Sequence, residues 1–160
     1  MRVFEEKQQF RQWWVHVIFL IVILGISIQI YYSNSSNLQE TTILFAILFL
    51  NFSLLILLYK MELHTKIDIN GINTSFRPFP FFKRHYNWSE IDKIYVRKYS
   101  ALTEYGGWGI RGFTEAKAYN VSGNYGIQIV TKESKQFLIG TQRPEDAERV
   151  LKRYTEKISK

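Results

Sequence analysis

The chain contains no cysteine. That excludes a disulfide framework, a thiolate metal site, a cysteine nucleophile and palmitoylation. It agrees with a reducing compartment. Charge is absent from two long stretches: residues 13–32 and 42–59 hold no Asp, Glu, Lys or Arg. Residues 33–41, between them, hold no Lys or Arg. His16, His64 and His85 have no close ligand spacing, so no metal is expected. There is no G-x-S-x-G nucleophile elbow, and no local carboxylate pair marks a hydrolase. The expectation is a protein that is not an enzyme and carries no cofactor.

The uncharged stretches are strongly apolar. At about 1.5 Å per residue, a 20-residue helix spans about 30 Å, the hydrocarbon thickness of a bilayer. Buried core helices are the competing explanation. A chain of 160 residues would then have to bury two helices that are apolar all round, which a small domain rarely does. A cleaved signal peptide fits poorly. Glu5 and Glu6 precede the run, the run is too long, and it ends in Tyr31-Tyr32 rather than small residues. The organisation read from this is a cytoplasmic N-terminal tail (1–12), a transmembrane hairpin (13–60, outer loop 33–41) and a soluble domain (61–160).

Basic residues set the orientation. Arg2, Lys7 and Arg11 precede the first span, and Lys60 and Lys66 follow the second. The positive-inside rule places both termini in the cytoplasm and the loop outside, in a cell inner (plasma) membrane. Trp13, Trp14, Tyr31, Tyr32 and Tyr59 sit at the span ends, where aromatic rings favour headgroup depth. Asn34-Ser35-Ser36 matches a glycosylation sequon and is read as chance. Within the spans the polar residues are His16, Ser27, Gln29, Asn51 and Ser53. His16 lies near a boundary and reaches the interface. Gly25 and Asn51 are read as packing residues between the spans: a small residue for close approach and an amide worth about 1 kcal/mol.

After residue 61 the hydrophobic period becomes two. Leu63, Thr65, Ile67 and Ile69 share one face of a strand. Asn70-Gly71 then marks a tight hairpin, followed by Ile72, Thr74 and Phe76 on the next strand, which Pro78 and Pro80 stop. Further strands read at 84–88, 93–99, 118–121, 125–129 and 137–139. Pro144, Glu145 and Asp146 open a helix. Its stripe is Ala147, Val150, Leu151, Tyr154 and Ile158. The predicted class is an α+β membrane protein: the hairpin, then an antiparallel sandwich or barrel of about seven strands closed by a C-terminal helix.

That order resembles pleckstrin-homology-like (PH-like) domains. Asn87-Trp88-Ser89-Glu90-Ile91-Asp92-Lys93-Ile94 resembles a strand junction of the bacterial PH-like group. Ala118-Tyr119-Asn120-Val121-Ser122-Gly123 and the segment 137–145 are similar to uncharacterised bacterial membrane proteins of that type. The resemblance spans roughly 61–157. It implies a PH-like fold and a membrane address, and no activity. Phosphoinositide-binding members use a basic loop between their first two strands. Here that connection is Asn70-Gly71, so phosphoinositide binding is not expected.

Gly107-Trp108-Gly109-Ile110-Arg111-Gly112 matches G-x-G-x-x-G by letter. A dinucleotide site needs a helix opening at the third glycine; Phe113-Thr114-Glu115-Ala116 and another strand follow instead. The candidate binding residues are Tyr105, Trp108, Arg111 and Phe113, aromatics beside an arginine on a long connection. The other outcome is that these aromatics fold back onto the core. Lys83 and Arg84 follow Phe79, Phe81 and Phe82 and are candidates for contact with an anionic surface. Residues 61–160 hold 17 Lys and Arg against 11 Asp and Glu. No nucleic-acid motif accompanies that excess, so nucleic acid is not an expected partner. The expected role is a membrane-anchored binding or scaffold module that recruits a protein partner or docks on anionic lipid. The alternative is an accessory subunit of a membrane enzyme or transporter. The lipid bilayer is one expected partner, and self-association is a further one.

Overall fold

The structure is a computed structural model describing residues 3–32, 38–112 and 116–155. In chain order the elements are β1 (Phe4–Gln9), α1 (Trp13–Tyr32), α2 (Leu38–Lys60), β2 (Glu62–Asp68), β3 (Gly71–Arg77) and β4 (Lys83–Asn87). A 3-10 turn (Trp88–Glu90) leads to β5 (Ile91–Lys98), α3 (Ala101–Tyr105), β6 (Gly109–Gly112), β7 (Ala116–Asn120), β8 (Tyr125–Thr131), β9 (Gln136–Thr141) and α4 (Pro144–Thr155). The chain divides into two units, residues 10–61 and residues 1–9 with 62–160.

In the first unit α1 and α2 are long and apolar enough to cross a membrane. No residue of α1 is buried, and in α2 only Leu44 is. Between residues 13 and 59, 22 large apolar or aromatic side chains are exposed. Some polar groups are satisfied along their own helix: Thr42 Oγ1 donates to Leu38 O at 2.8 Å and Ser53 Oγ to Phe49 O at 2.9 Å. His16 Nδ1 meets Gln12 O at 3.0 Å. The second helix begins at Leu38, four residues before the apolar run itself, and so takes in Glu40.

The second unit holds two sheets. One has the order β1-β2-β3-β4, all antiparallel. The other has the order β5-β8-β9-β7-β6, with β7 and β9 parallel. The Asn70-Gly71 turn joins β2 to β3 as the dipeptide predicts. Gly71 has φ of 145°, and a Cβ there would stand 2.1 Å from the Tyr86 carbonyl oxygen, so only glycine fits. The alternation read for β2 and β3 holds: Leu63, Thr65, Ile67, Ile72, Thr74 and Phe76 are buried. Ile69 is 42% exposed because β2 ends at Asp68.

The core lies between the sheets. Ile67, Ile72 and Phe76 of one, and Ile127, Ile129, Phe137 and Ile139 of the other, are essentially fully buried. Rings meet across the layers: Phe76 with Tyr119 at 5.6 Å and Tyr86 with Phe137 at 5.4 Å. Ala147, Val150, Leu151 and Tyr154 of α4 are buried; Ile158 lies outside the described residues. Tyr154 stacks on Trp88 at 4.9 Å, and the Trp88 indole N–H donates to Asp68 O at 3.0 Å.

Three readings change. The sequence suggests a tail over 1–12, but residues 4–9 are strand β1, paired along β2 from Phe4↔Ile67 to Gln9↔Glu62. Its inward residues are Phe4, Glu6 and Gln8, so two polar side chains hide the alternation. Second, the described residues form nine strands rather than about seven; β1 and β6 are the additions. Third, the sheets do not close into a barrel, and the parallel β7–β9 pair departs from an all-antiparallel layout.

Candidate functional site

The connection carrying Tyr105, Trp108 and Arg111 folds onto the five-stranded sheet. Ser100 starts α3: its hydroxyl accepts from Thr103 N at 3.4 Å, and its N–H donates to Glu104 Oε1 at 2.8 Å. Gly106 ends it in the left-handed conformation. Buried Tyr99, Ala101, Ala118 and Leu138 form a cluster with Tyr105 and Trp108 packed against it. Tyr105 also meets Tyr99 edge-on at 6.1 Å. Trp108 and Tyr105 thus serve as a cover for this side of the sheet. Arg111 is exposed, with its Nε donating to Trp108 O at 2.9 Å. Phe113 lies outside the described residues. Gly109–Gly112 is itself a strand, paired from Gly109↔Asn120 to Gly112↔Lys117, so the glycine pattern forms no strand-to-helix junction.

Arg97 pins this cover in place, a role that the sequence reading missed. Its guanidinium reaches Glu104 Oε2 at 2.7 Å, Gln128 Oε1 at 3.0 Å and the Tyr105 hydroxyl at 3.3 Å. The Arg97 bond holds the Glu104 carboxyl below its ordinary value, and Glu104 in turn raises Arg97. Burial pushes the Tyr99 hydroxyl up to about 12. The only signal in the sequence was Arg97 alternating with Val96 on β5.

A different surface has unused charge. The outward faces of β1–β4 align in rows: Lys7, His64, Ser75 and Lys83 in one, and Glu5, Lys66, Asn73 and His85 in the next. The acids here are engaged. Glu5 meets His64 at 2.9 Å, which lowers the Glu5 carboxyl, and Asp68 meets Lys66 at 3.1 Å. Gln9 donates to Glu62 Oε2 at 3.3 Å. His85 lies between Asn73 Oδ1 at 2.7 Å and Asn87 Oδ1 at 2.9 Å. Among the described residues Lys7, Arg77, Lys83 and Arg84 form no salt bridge. An open groove of about 530 Å³ crosses the face, lined by His64, Lys66, Asn73, Ser75, Arg77, Phe79 and Lys83. It ends at the β3–β4 turn. Phe82 N donates there to Phe79 O at 3.3 Å and the two rings meet at 6.1 Å, while Phe81 is 86% exposed.

The two packing residues of the spans separate. A side chain at Gly25 would meet nothing within 4 Å, so Gly25 is not a point of close helix approach; it faces outward. Asn51 Oδ1 is shielded and has no hydrogen-bond partner among the described residues. No group of three or more His, Asp or Glu among the described residues could hold a metal ion.

No family model, curated protein or solved structure matches the chain.

Proposed function

We propose that this protein is a membrane-anchored binding module of PH-like layout, which recruits an acidic protein segment to the cytoplasmic face of a bacterial inner membrane. The anchor rests on an energy argument. Burying one large apolar side chain contributes about 1.5–3 kcal/mol. The 22 exposed between residues 13 and 59 therefore represent more than about 30 kcal/mol, several times a domain's net stability of about 5–15 kcal/mol. Hydrocarbon surroundings resolve that conflict. Trp13, Tyr31, Tyr32 and Tyr59, all more than half exposed, would then sit at headgroup depth. The Lys and Arg flanks favour cytoplasmic termini.

The observation that carries the binding reading is the charge on the four-stranded sheet. Arg77 and Lys83 line an open groove, Lys7 lies in the same outward row as His64, Ser75 and Lys83, and the acidic neighbours already have partners. An acidic segment laid there would meet cations and, from Ser75 and Asn73, neutral hydrogen-bonding groups. A photo-crosslinking residue at Ser75 in cells tests this. Wild type should give an adduct that Lys7→Glu with Lys83→Glu abolishes. The absence of an adduct, or the same adduct in both chains, would refute it.

Asn51 favours a second reading, in which the spans pack against a second copy or a subunit of a membrane enzyme or transporter. An unpaired amide oxygen in hydrocarbon costs several kcal/mol, and Asn51 Oδ1 has no hydrogen-bond partner among the described residues. Asn51→Leu should then release the associated chain in native gels of mild-detergent extracts. Unchanged migration would count against it.

A further inference from the structure

We infer that the β3–β4 turn is a second membrane contact, an aromatic finger whose Phe81 enters the interface of an anionic bilayer. It deepens the proposed function and rests on its membrane reading of α1 and α2, not on the acidic segment in the groove. The first observation is exposure without a partner. Phe81 is 86% exposed, while the Phe79–Phe82 ring contact and the Phe82 N–Phe79 O hydrogen bond brace the turn beneath it. A preformed turn with one ring projecting pays little ordering cost on insertion. Proline on either side of Phe79 keeps the turn from pairing as a strand.

The second observation is charge. Arg77, Lys83 and Arg84 flank the ring without a salt bridge among the described residues, and no Asp or Glu occurs between Asp68 and Glu90. Cations around an exposed aromatic match a surface that is apolar below and anionic above.

The third observation is register. Gln9, Glu62 and Arg77 are cross-strand partners at one end of the four-stranded sheet, and the β3–β4 turn follows Arg77 directly. Only residues 10–12 separate Gln9 from Trp13, and only Met61 separates Lys60 from Glu62. Both passages into the apolar helices thus leave from the end that carries Phe81. The Asn70-Gly71 turn is at the other end, seven residues of β3 away, or about 23 Å.

The absence of cysteine makes the test direct. Single-cysteine chains Phe81→Cys, Asn70→Cys and Leu50→Cys, each carrying an environment-sensitive fluorophore, are placed in nanodiscs containing a nitroxide-labelled lipid quencher. Leu50 reports the bilayer interior. The expected result is strong quenching at 50, clear quenching at 81 and none at 70. Quenching at 81 should be about two-fold or more greater with phosphatidylglycerol than with phosphatidylcholine alone, and should fall in Lys83→Glu/Arg84→Glu. Quenching at 50 with position 81 no different from 70 would overturn the finger and leave the anchor intact. Quenching at 81 indifferent to lipid charge and to the charge reversal would overturn its anionic preference. Absence of quenching at 50 would overturn the membrane reading and the finger with it.

Discussion

Replacing Glu6 by alanine should loosen a domain whose other strands begin more than fifty residues later. The Glu6 side chain is 6% exposed. It accepts from Thr141 Oγ1 at 2.6 Å and from Gln142 N at 2.8 Å. Gln8 adds a third tie, its Nε2 donating to Gly140 O at 2.7 Å. Arg143, just before α4, also holds β1, with its guanidinium 5.6 Å from the Phe4 ring centroid. Alanine at position 6 removes both acceptors at once. Thr141 is buried, so its hydroxyl loses its acceptor and stays desolvated, at about 1–3 kcal/mol. The Gln142 N–H is only partly buried, and water replaces its acceptor in part, for about 0.5–1 kcal/mol. The expected loss is about 2–3 kcal/mol, a large fraction of a typical domain's stability. Glu6→Gln keeps a carbonyl acceptor and should lose about half as much. Denaturant unfolding of the full chain in detergent, followed by near-ultraviolet circular dichroism, gives the free energy. Amide exchange gives the place: residues 4–9 and 62–68 should exchange faster. A Glu6→Ala chain within 0.5 kcal/mol of wild type, with unchanged exchange in β1, would mean that this segment is a tail after all.

Other substitutions test other joints. Trp88→Ala removes the ring stacked on Tyr154 and should cost about 3–5 kcal/mol in the same unfolding experiment. Gly71→Ala places a Cβ against the Tyr86 carbonyl oxygen and should lower the thermal midpoint and disturb β2–β3 amide shifts. Glu104 is held below its ordinary 4.5 by Arg97. Its stabilising contribution is therefore whole above that value and lost as pH falls through the lower folded one. Protection factors in residues 101–107, taken relative to intrinsic exchange rates, should fall on acidification, and Glu104→Gln should remove that dependence. Tyr99 moves the other way, from 10.0 to about 12. Its contribution is complete below 10.0 and disappears as pH rises toward 12. Tyr99→Phe should flatten the fall in stability over that alkaline window.

Legibility followed how local the cause was. The Asn70-Gly71 hairpin was readable because two adjacent residues set a turn. The α4 stripe was readable because Ala147, Val150, Leu151 and Tyr154 recur at helical spacing, and all four are buried. Strand β1 was not readable, since its inward Glu6 and Gln8 find partners on β9 and just beyond it. The role of Tyr105 and Trp108 was left open by composition, because an aromatic beside an arginine reads alike in a binding loop and in a lid. In the structure Tyr105 and Trp108 pack against the cluster that holds Tyr99, Ala101 and Leu138.

The amino-acid sequence by itself determined two apolar helices, a β-rich domain after residue 61 and a closing amphipathic helix. Periodicity and the absence of charge are properties of neighbouring residues, and each helix or strand follows from them. Only the tertiary structure decided that residues 4–9 complete a sheet, that β7 lies parallel to β9, and that Arg97 pairs with Glu104 while Lys83 and Arg84 form no salt bridge among the described residues. Those outcomes depend on which polar groups meet across long stretches of chain, where a buried carboxylate is favourable only beside its donors.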